Sequence, residues 1–292
     1  MIDILRSLAG SAPVVADGAW GTELVRRGAT GSCPERWNVE TPALVAEVAA
    51  AYVAAGARII LTNSFGGSPF KLAPHGLDGR TEELNERAAR ISVEAARGEA
   101  AVLGSVGPTG KFLEPYGDLT EEAVEAAFRR QIKGLLAGGA GGVVVETMSD
   151  VREAACALRA ARAEGARLVV ASMTFERRKA GMVTMMGVAP AQAAAELAPL
   201  GPDLIGANCG AGAEDIAAVM EAMAAATALP LWAKPNAGKP VLVGGAAVHP
   251  ETPEEFAAKM RAVIDAGARV VGGCCGTTPE HIRRLCAAQA AR

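Results

Sequence analysis

Three cysteines in this 292-residue chain lie in settings that could bind a metal ion. Cys274 and Cys275 are adjacent and follow an apolar run that ends in glycine. Cys209 lies at the end of a second apolar run and is followed by Gly210. Adjacent cysteines do not easily form a disulfide, because the bond needs Cα atoms about 5.5 Å apart and neighbours are held about 3.8 Å apart. Three thiolates at two predicted strand ends instead suit a zinc ion with one open coordination position.

A zinc ion with three cysteine ligands would favour one kind of chemistry. Zinc deprotonates a coordinated thiol, whose ordinary pKa lies near 8.5. Three thiolates give the site a formal negative charge, so that a fourth, substrate thiolate keeps its electron density and stays nucleophilic. The sequence therefore predicts a site that holds a substrate thiol for alkylation, with Cys209, Cys274 and Cys275 as metal ligands and catalytic residues.

Polar residues at other predicted strand ends could bind an amino-acid thiol. Asp17 and Glu146 are candidates for the substrate ammonium. Asn63, Asn208 and backbone N–H groups of glycine turns, such as the turn at Gly18, could bind the carboxylate. Asp and Glu at such positions also serve as ordinary caps or turn residues, so the side chains alone leave both roles open.

The elements that must position these side chains alternate between strand and helix along the whole chain. Continuous apolar runs are typical of parallel strands buried on both faces, and Gly-Ala-Arg at several helix ends is typical of a helix-to-strand loop. The predicted strands are 13–17, 58–63, 101–105, 142–147, 167–173, 203–209, 229–234 and 269–273. The predicted helices are 43–55, 82–97, 121–137, 150–164, 190–200, 214–227, 253–266 and 279–290, with caps at Thr81 and Thr120.

Eight strand–helix units without a linker predict a single TIM barrel, with 1–292 as one domain. A doubly wound open sheet is the alternative. In a barrel, catalytic residues collect at the C-terminal ends of the strands. We therefore expect the two carboxylates, the amides and the three thiolates to surround one opening.

Composition excludes several classes of protein. The formal net charge of -3 offers no basic surface for nucleic acid. No apolar run reaches the ~18 residues of a membrane helix, and residues 1–6 do not predict a signal peptide. Six cysteines in a chain of this length fit a reducing cytoplasm better than a secreted disulfide framework. The sequence is compatible with an oligomer.

Motifs along nearly the whole chain resemble those of the homocysteine S-methyltransferase family. They are 17–22 (DGAWGT), 62–66 (TNSFG), 104–110 (GSVGPTG), 146–150 (ETMSD), 208–210 (NCG) and 272–277 (GGCCGT). This family includes betaine-homocysteine methyltransferases, S-methylmethionine-dependent enzymes and the homocysteine-binding module of cobalamin-dependent methionine synthase. The resemblance implies a TIM barrel, Zn²⁺ on the three cysteines, and homocysteine as the methyl acceptor with Asp17 and Glu146 near its amino group.

The methyl donor is left open by the sequence. Segments 34–40 (PERWNVE) and 184–188 (TMMGV) resemble bacterial betaine-homocysteine methyltransferases. A quaternary ammonium donor needs aromatic faces or carboxylates, and Trp37 and Phe65 are the candidates. A methyl-corrinoid or methyltetrahydrofolate system would instead require a separate corrinoid protein, which would make the chain one module of a split methionine synthase.

Two other functions are compatible with the sequence. One is a non-catalytic protein that binds zinc or homocysteine. The other is a barrel lyase or aldolase, for which Lys234 is the strand-end lysine that could form a Schiff base.

The remaining cysteines and histidines are predicted to be structural. Free cysteine is common in protein cores, and the histidines have no ligand spacing to the three cysteines. Cys156 and Cys286 are predicted core residues, Cys33 a free loop thiol, and His75, His249 and His281 loop or helix-surface residues.

Overall fold

Eight parallel strands form one sheet that closes on itself. The computed structural model describes residue 10 and residues 12–179, 181–243 and 246–290. The strands are β1 Val14–Val15, β2 Ile59–Leu61, β3 Ala101–Val106, β4 Val143–Met148, β5 Val169–Met173, β6 Leu204–Asn208, β7 Leu231–Lys234 and β8 Ala268–Val271. Their order is β1-β8-β7-β6-β5-β4-β3-β2, and a parallel bridge from Ala16 to Ile59 joins the two ends. The sheet is therefore a barrel, which confirms the predicted fold class and excludes the open sheet.

Helices follow every strand and cover the outside of the barrel. They are α1 Gly21–Arg26, α2 Trp37–Glu40, α3 Pro42–Ala54, α4 Pro69–Leu72, α5 Thr81–Ala96, α6 Glu121–Ala137, α7 Val151–Ala163, α8 Pro190–Leu197, α9 Ala213–Ala224, α10 Pro253–Asp265 and α11 Pro279–Ala290. The predicted elements are confirmed. The largest shifts at their ends are three residues, where α8 ends at 197 instead of 200 and α9 at 224 instead of 227. The short helices α1, α2 and α4 are additional.

Helix caps follow local hydrogen bonding. Thr120 caps α6 as predicted, because its side chain accepts a hydrogen bond from the N–H of Ala123. The predicted cap at Thr81 is wrong, since α5 begins at Thr81 itself and the Thr81 hydroxyl donates to the Asp78 carbonyl. Thr252 and Glu255 form a full capping box at the start of α10.

The strands are buried on both faces. Val144 points into the barrel, where it packs in a cluster that also contains Trp232. Val143 and Val145 point outward and pack in the layer between sheet and helices. This two-sided burial explains why the strands appear in the sequence as continuous apolar runs.

Two β-hairpins extend the loops after β5 and β7. Glu176–Arg178 pairs with Gly181–Val183, and Val241–Val243 pairs with Ala246–Val248, both antiparallel. The residues of the strand Glu176–Arg178 are exposed. Within the described ranges, no helix combines the length and apolar character that crossing a membrane requires.

Candidate active site

A cavity of about 880 Å³ lies at the C-terminal ends of the barrel strands. Most of the predicted site residues line it, namely Gly18, Asn63, Glu146, Cys209, Cys274 and Cys275. Asp17 and Asn208 are fully buried and do not line the cavity. Each is the sequence neighbour of a residue that does, Gly18 and Cys209 respectively. The fold therefore brings every predicted site residue to one end of the barrel.

The three cysteine sulfurs converge at this cavity. The Sγ atoms of Cys209, Cys274 and Cys275 all lie within 4.8 Å of one another, and those of Cys209 and Cys275 are 3.8 Å apart. Cys209 adopts a left-handed backbone conformation with φ 59°, which is uncommon for a residue other than glycine. A strained backbone at a strand end is a frequent property of functional sites.

A tight turn fixes the Cys274–Cys275 pair. The hydroxyl of Thr277 donates to the carbonyl oxygen of Cys274 at 2.7 Å and accepts from the N–H of Ala19 at 3.0 Å. The N–H of Cys274 donates to the carbonyl of Pro235 at 2.7 Å. The turn after β8 is thereby tied to the loops after β1 and β7.

The thiols share negative charge. Hydrogen bonds from Cys274 and Cys275 lower the pKa of Cys209 to about 3, and the interaction with Cys209 raises the pKa of Cys275 to about 12. One thiolate is thus stabilised by two neighbouring thiols.

This donor set fits a metal ion. Zinc–sulfur bonds of about 2.3 Å in a tetrahedron separate two sulfurs by about 3.8 Å, the distance between Cys209 and Cys275. Asn236 is buried beside the cluster, where it hydrogen-bonds Cys209, and its Oδ1 atom has no protein partner among the described residues. Three soft ligands with this spacing suit zinc.

A buried ion pair lies at the floor of the cavity. Lys234 Nζ donates to Asp17 Oδ1 at 2.5 Å, and both side chains are almost fully buried. Asp17 Oδ2 accepts from Trp20 Nε1 and from the N–H of Leu61, both at 2.7 Å. Burial alone would lower the pKa of Lys234, but the carboxylates of Asp17 and Glu146 raise it above its usual value. Lys234 lines the cavity and is charged.

Glu146 also faces the cavity, without a cation beside it. Its carboxylate accepts from the Ser105 hydroxyl at 2.5 Å and from Asn208 Nδ2 at 3.4 Å. Among the described residues, no lysine, arginine or histidine nitrogen lies within 4.0 Å of it. Burial raises its pKa, and the charge of Lys234 partly offsets this effect.

The two asparagines bind other protein groups. Asn208 Nδ2 donates to Thr147 Oγ1 at 2.6 Å, and Asn208 Oδ1 accepts from the N–H of Thr147 at 2.8 Å and from Ser172 Oγ at 2.7 Å. These bonds hold Thr147 at φ 60°, a strained conformation for a β-branched residue. Asn63 Nδ2 donates to the Pro34 carbonyl at 2.7 Å and to Asn38 Oδ1 at 3.0 Å.

Aromatic side chains also line the cavity. Phe65, which the sequence indicates, is 42% exposed and is joined by Trp20 and Phe70. Trp37 is instead buried in the core on α2 and does not line the cavity. Because Trp37 is buried, it is not a candidate for donor binding.

The predictions for the other cysteines and for His281 are partly confirmed. Cys156 is buried in the core, as predicted, and Cys286 is partly buried against it. Cys33 is a free thiol, but it is buried and lines the cavity. His281 is buried, which corrects its predicted surface position; its ring packs edge-on against Phe256 and hydrogen-bonds the Glu251 carbonyl.

Comparison with known proteins identifies the family. The sequence model of homocysteine S-methyltransferases matches residues 14–289. The chain belongs to the homocysteine S-methyltransferase family. It is 33% identical to methionine synthase of Mycobacterium leprae over 99% of its length, and 32% identical to that of Mycobacterium tuberculosis over 95%. The chain spans about a quarter of these two relatives.

Solved structures of this family have the same fold. The metallated form of the homocysteine methyltransferase MmuM from Escherichia coli superposes with a TM-score of 0.82 at 27% identity, covering 98% of this chain and 99% of that one. The apo form gives a TM-score of 0.76. The carboxyl transferase domain of Rhizobium etli pyruvate carboxylase, at 16% identity and a TM-score of 0.56, shares the fold alone.

Proposed function

We propose that this chain is a zinc-dependent homocysteine S-methyltransferase that produces methionine. The observation that carries the proposal is the convergence of three sulfurs at the base of a large cavity, in a chain of this family. Cys209, Cys274 and Cys275 would hold the metal. The metallated form of Escherichia coli MmuM supports metal use by a relative of matching length.

The chemistry follows from the arrangement of the site. When bound, zinc would hold the acceptor sulfur as a nucleophilic thiolate at its fourth coordination position. Glu146, which forms no ion pair within 4.0 Å among the described residues, would bind the acceptor ammonium. Asp17 lies behind the cavity wall and would hold Lys234 in place through their ion pair. Gly18 and Asn63 would contact the acceptor from the lining, and Asn208 would keep Glu146 and Thr147 in place.

Methyl transfer would be an in-line displacement. The acceptor sulfur forms a bond to the methyl carbon while the bond from that carbon to the donor heteroatom breaks, and the electron pair stays on the leaving group. The protein contributes mainly by aligning the two substrates and keeping water out.

A small cationic donor fits the aromatic lining of the cavity. Trp20, Phe65 and Phe70 provide aromatic faces that attract a quaternary ammonium or a sulfonium group. The relative MmuM is a homocysteine methyltransferase that this chain matches over 98% of its length. The donor we propose is therefore betaine or S-methylmethionine.

A second candidate is a partner-dependent module. The similarity to methionine synthases about four times as long favours it, because those relatives contain regions that this chain does not match. In that case the methyl group would arrive from a methyl-corrinoid on a separate protein.

Turnover separates these proposals. Zinc-loaded protein and homocysteine are incubated separately with betaine, S-methylmethionine, methylcobalamin and methyltetrahydrofolate, and methionine is measured. Product from betaine or S-methylmethionine supports the self-sufficient enzyme. Product only from methylcobalamin, or only after a corrinoid protein is added, supports the module. Homocysteine binding without product from any donor, corrinoid protein included, supports a non-catalytic protein.

Phe65→Leu tests the donor subsite. We expect the KM for a cationic donor to rise about 3- to 30-fold, because a cation–π contact contributes about 0.5–2 kcal/mol. The KM for homocysteine should stay unchanged. Phe112→Leu is the matched control, since Phe112 is exposed on the neighbouring loop but does not line the cavity.

We further propose that 1–292 functions as one homocysteine-binding domain. Its three site thiols must stay reduced to bind metal, which favours a reducing compartment such as the cytoplasm.

A further inference from the structure

Two buried carboxylates and one ammonium group meet at the floor of the cavity. Asp17 and Glu146 supply the negative charges, and Lys234 supplies the positive charge. Lys234 is only 2% exposed and forms its ion pair with Asp17 at 2.5 Å. The ion pair is neutral, and the carboxyl group of Glu146 takes no part in it.

Lys234 retains hydrogen-bonding capacity toward the cavity. An ammonium group has three N–H donors. Asp17 Oδ1 is the acceptor found for Lys234 among the described residues. Because Lys234 lines the cavity, its other two donors are available to a bound substrate.

The amide side chains that could compete for a substrate carboxylate are already engaged. Asn208 Nδ2 donates to Thr147, and Asn63 Nδ2 donates to Pro34 and Asn38. The Gly18 turn, which also lines the cavity, offers neutral N–H donors, whereas Lys234 offers a charged donor at the cavity floor. A charged donor binds a carboxylate more strongly than a neutral one.

Glu146 has the opposite requirement. Its carboxylate is buried and accepts from the Ser105 hydroxyl, with no cation within 4.0 Å among the described residues. A buried carboxylate is stabilised by a cation. A substrate that carries both an anion and a cation would satisfy Lys234 and Glu146 together.

We propose that Lys234 binds the carboxylate of the amino-acid acceptor and that Glu146 binds its ammonium. Charges would then alternate from Asp17 through Lys234, the substrate carboxylate and the substrate ammonium to Glu146. This assignment rests on the proposed function, because it takes homocysteine as the acceptor. It makes Lys234 the residue that selects thiols with a carboxylate, and gives it a role other than Schiff-base formation.

Two analogues of homocysteine test the assignment on the unaltered protein. 3-Aminopropane-1-thiol lacks the carboxylate, and 4-sulfanylbutanoate lacks the ammonium. Binding of each to zinc-loaded protein is measured by calorimetry. We expect the loss of the carboxylate to weaken binding about 10- to 100-fold, equivalent to about 1.4–2.8 kcal/mol.

Variants at position 234 make the test specific. In Lys234→Met, homocysteine should bind about 10- to 100-fold more weakly, while 3-aminopropane-1-thiol should bind at least as tightly as to wild type. Because this variant leaves Asp17 unpaired, Asp17→Asn/Lys234→Met is measured beside it; it removes both charges and should show the same loss of discrimination. Lys239→Met is the control, since Lys239 is exposed on the same loop and does not line the cavity.

Three results would overturn the assignment. If wild type binds 3-aminopropane-1-thiol within about threefold of homocysteine, the carboxylate is not recognised. If the double variant keeps the full discrimination, another group binds the carboxylate. If wild type does not bind homocysteine at all, the proposed function fails, and this inference fails with it.

Discussion

Replacing Asn208 with alanine would show whether this residue stabilises a turn or contacts the substrate. The side chain is fully buried and makes three hydrogen bonds of 2.6–2.8 Å to Thr147 and Ser172. A buried polar group that loses its partner costs about 1–3 kcal/mol. Ser172 is 1% exposed, so its hydroxyl would stay unpaired and lower stability by the full amount. Thr147 is partly exposed and can form a hydrogen bond with water instead. We expect the free energy of unfolding to fall by about 3 kcal/mol.

Urea unfolding of the metal-free protein, followed by circular dichroism, measures this change. Gln192→Ala is the control, because Gln192 lies on α8 with an exposed hydrogen bond to Glu196, and it should change stability by less than about 0.5 kcal/mol. In a double-mutant cycle, Asn208→Ala and Ser172→Ala should be non-additive by about 1 kcal/mol, because each removes the partner of the other.

The turn interpretation has a definite refutation. If Asn208→Ala unfolds within about 0.5 kcal/mol of wild type while its affinity for homocysteine falls at least tenfold, Asn208 contacts the substrate. The hydrogen bonds to Thr147 would then contribute nothing measurable to stability.

Three further predictions concern the metal, the barrel and a buried histidine. Cys275→Ser should lose its bound zinc on dialysis and its activity with it, because two sulfur ligands remain, whereas Cys286→Ser should keep wild-type metal content by elemental analysis; full activity in Cys275→Ser would exclude the zinc assignment. Gly206→Ala should lose about 3 kcal/mol or more in urea unfolding, since its Cβ would lie 1.7 Å from the Trp232 carbonyl oxygen. Gly21→Ala, with no atom within 4 Å of the new Cβ, should stay within about 1 kcal/mol of wild type, and equal stabilities would contradict the packing argument. Burial lowers the pKa of the His281 imidazole below 6.5. As the pH falls, the unfolded chain therefore binds a proton at His281 before the folded protein does, and the free energy of unfolding decreases as the pH falls through and below that value. Between pH 7.5 and pH 5.5, wild type should therefore lose more unfolding free energy than His281→Gln, and parallel losses would refute the effect.

The fold was predictable because its determinants are local. Strands buried on both faces appear as apolar runs, and glycine at a helix end indicates the loop to the next strand. The cysteine cluster could also be predicted from the sequence, because the C-terminal ends of parallel strands meet at one end of a barrel. Cys209 and Cys275 needed only the correct strand order to be placed together.

Contacts across the barrel were not predictable in the same way. Lys234 and Asp17 are 217 residues apart in sequence and lie on strands that do not pair, so nothing in either neighbourhood indicates the ion pair. The same holds for Asn208, whose amide is engaged by Thr147 and Ser172 on two other strands. A list of strand-end residues identifies what is present at the opening but not which side chains already have partners.

The position of the cysteines in the chain also determines when the site can form during synthesis. Strand β8, which precedes Cys274, is translated after every other barrel strand. It pairs with β1, with Val14 opposite Val270. A ribosome-bound chain that has reached Cys209 therefore has neither a closed barrel nor a complete set of thiol ligands. Domains fold during synthesis from the N-terminus. In this chain, barrel closure and completion of the three-cysteine cluster are therefore late events. A nascent chain that ends before β8 has Cys209 without its two partner thiols and an open sheet edge.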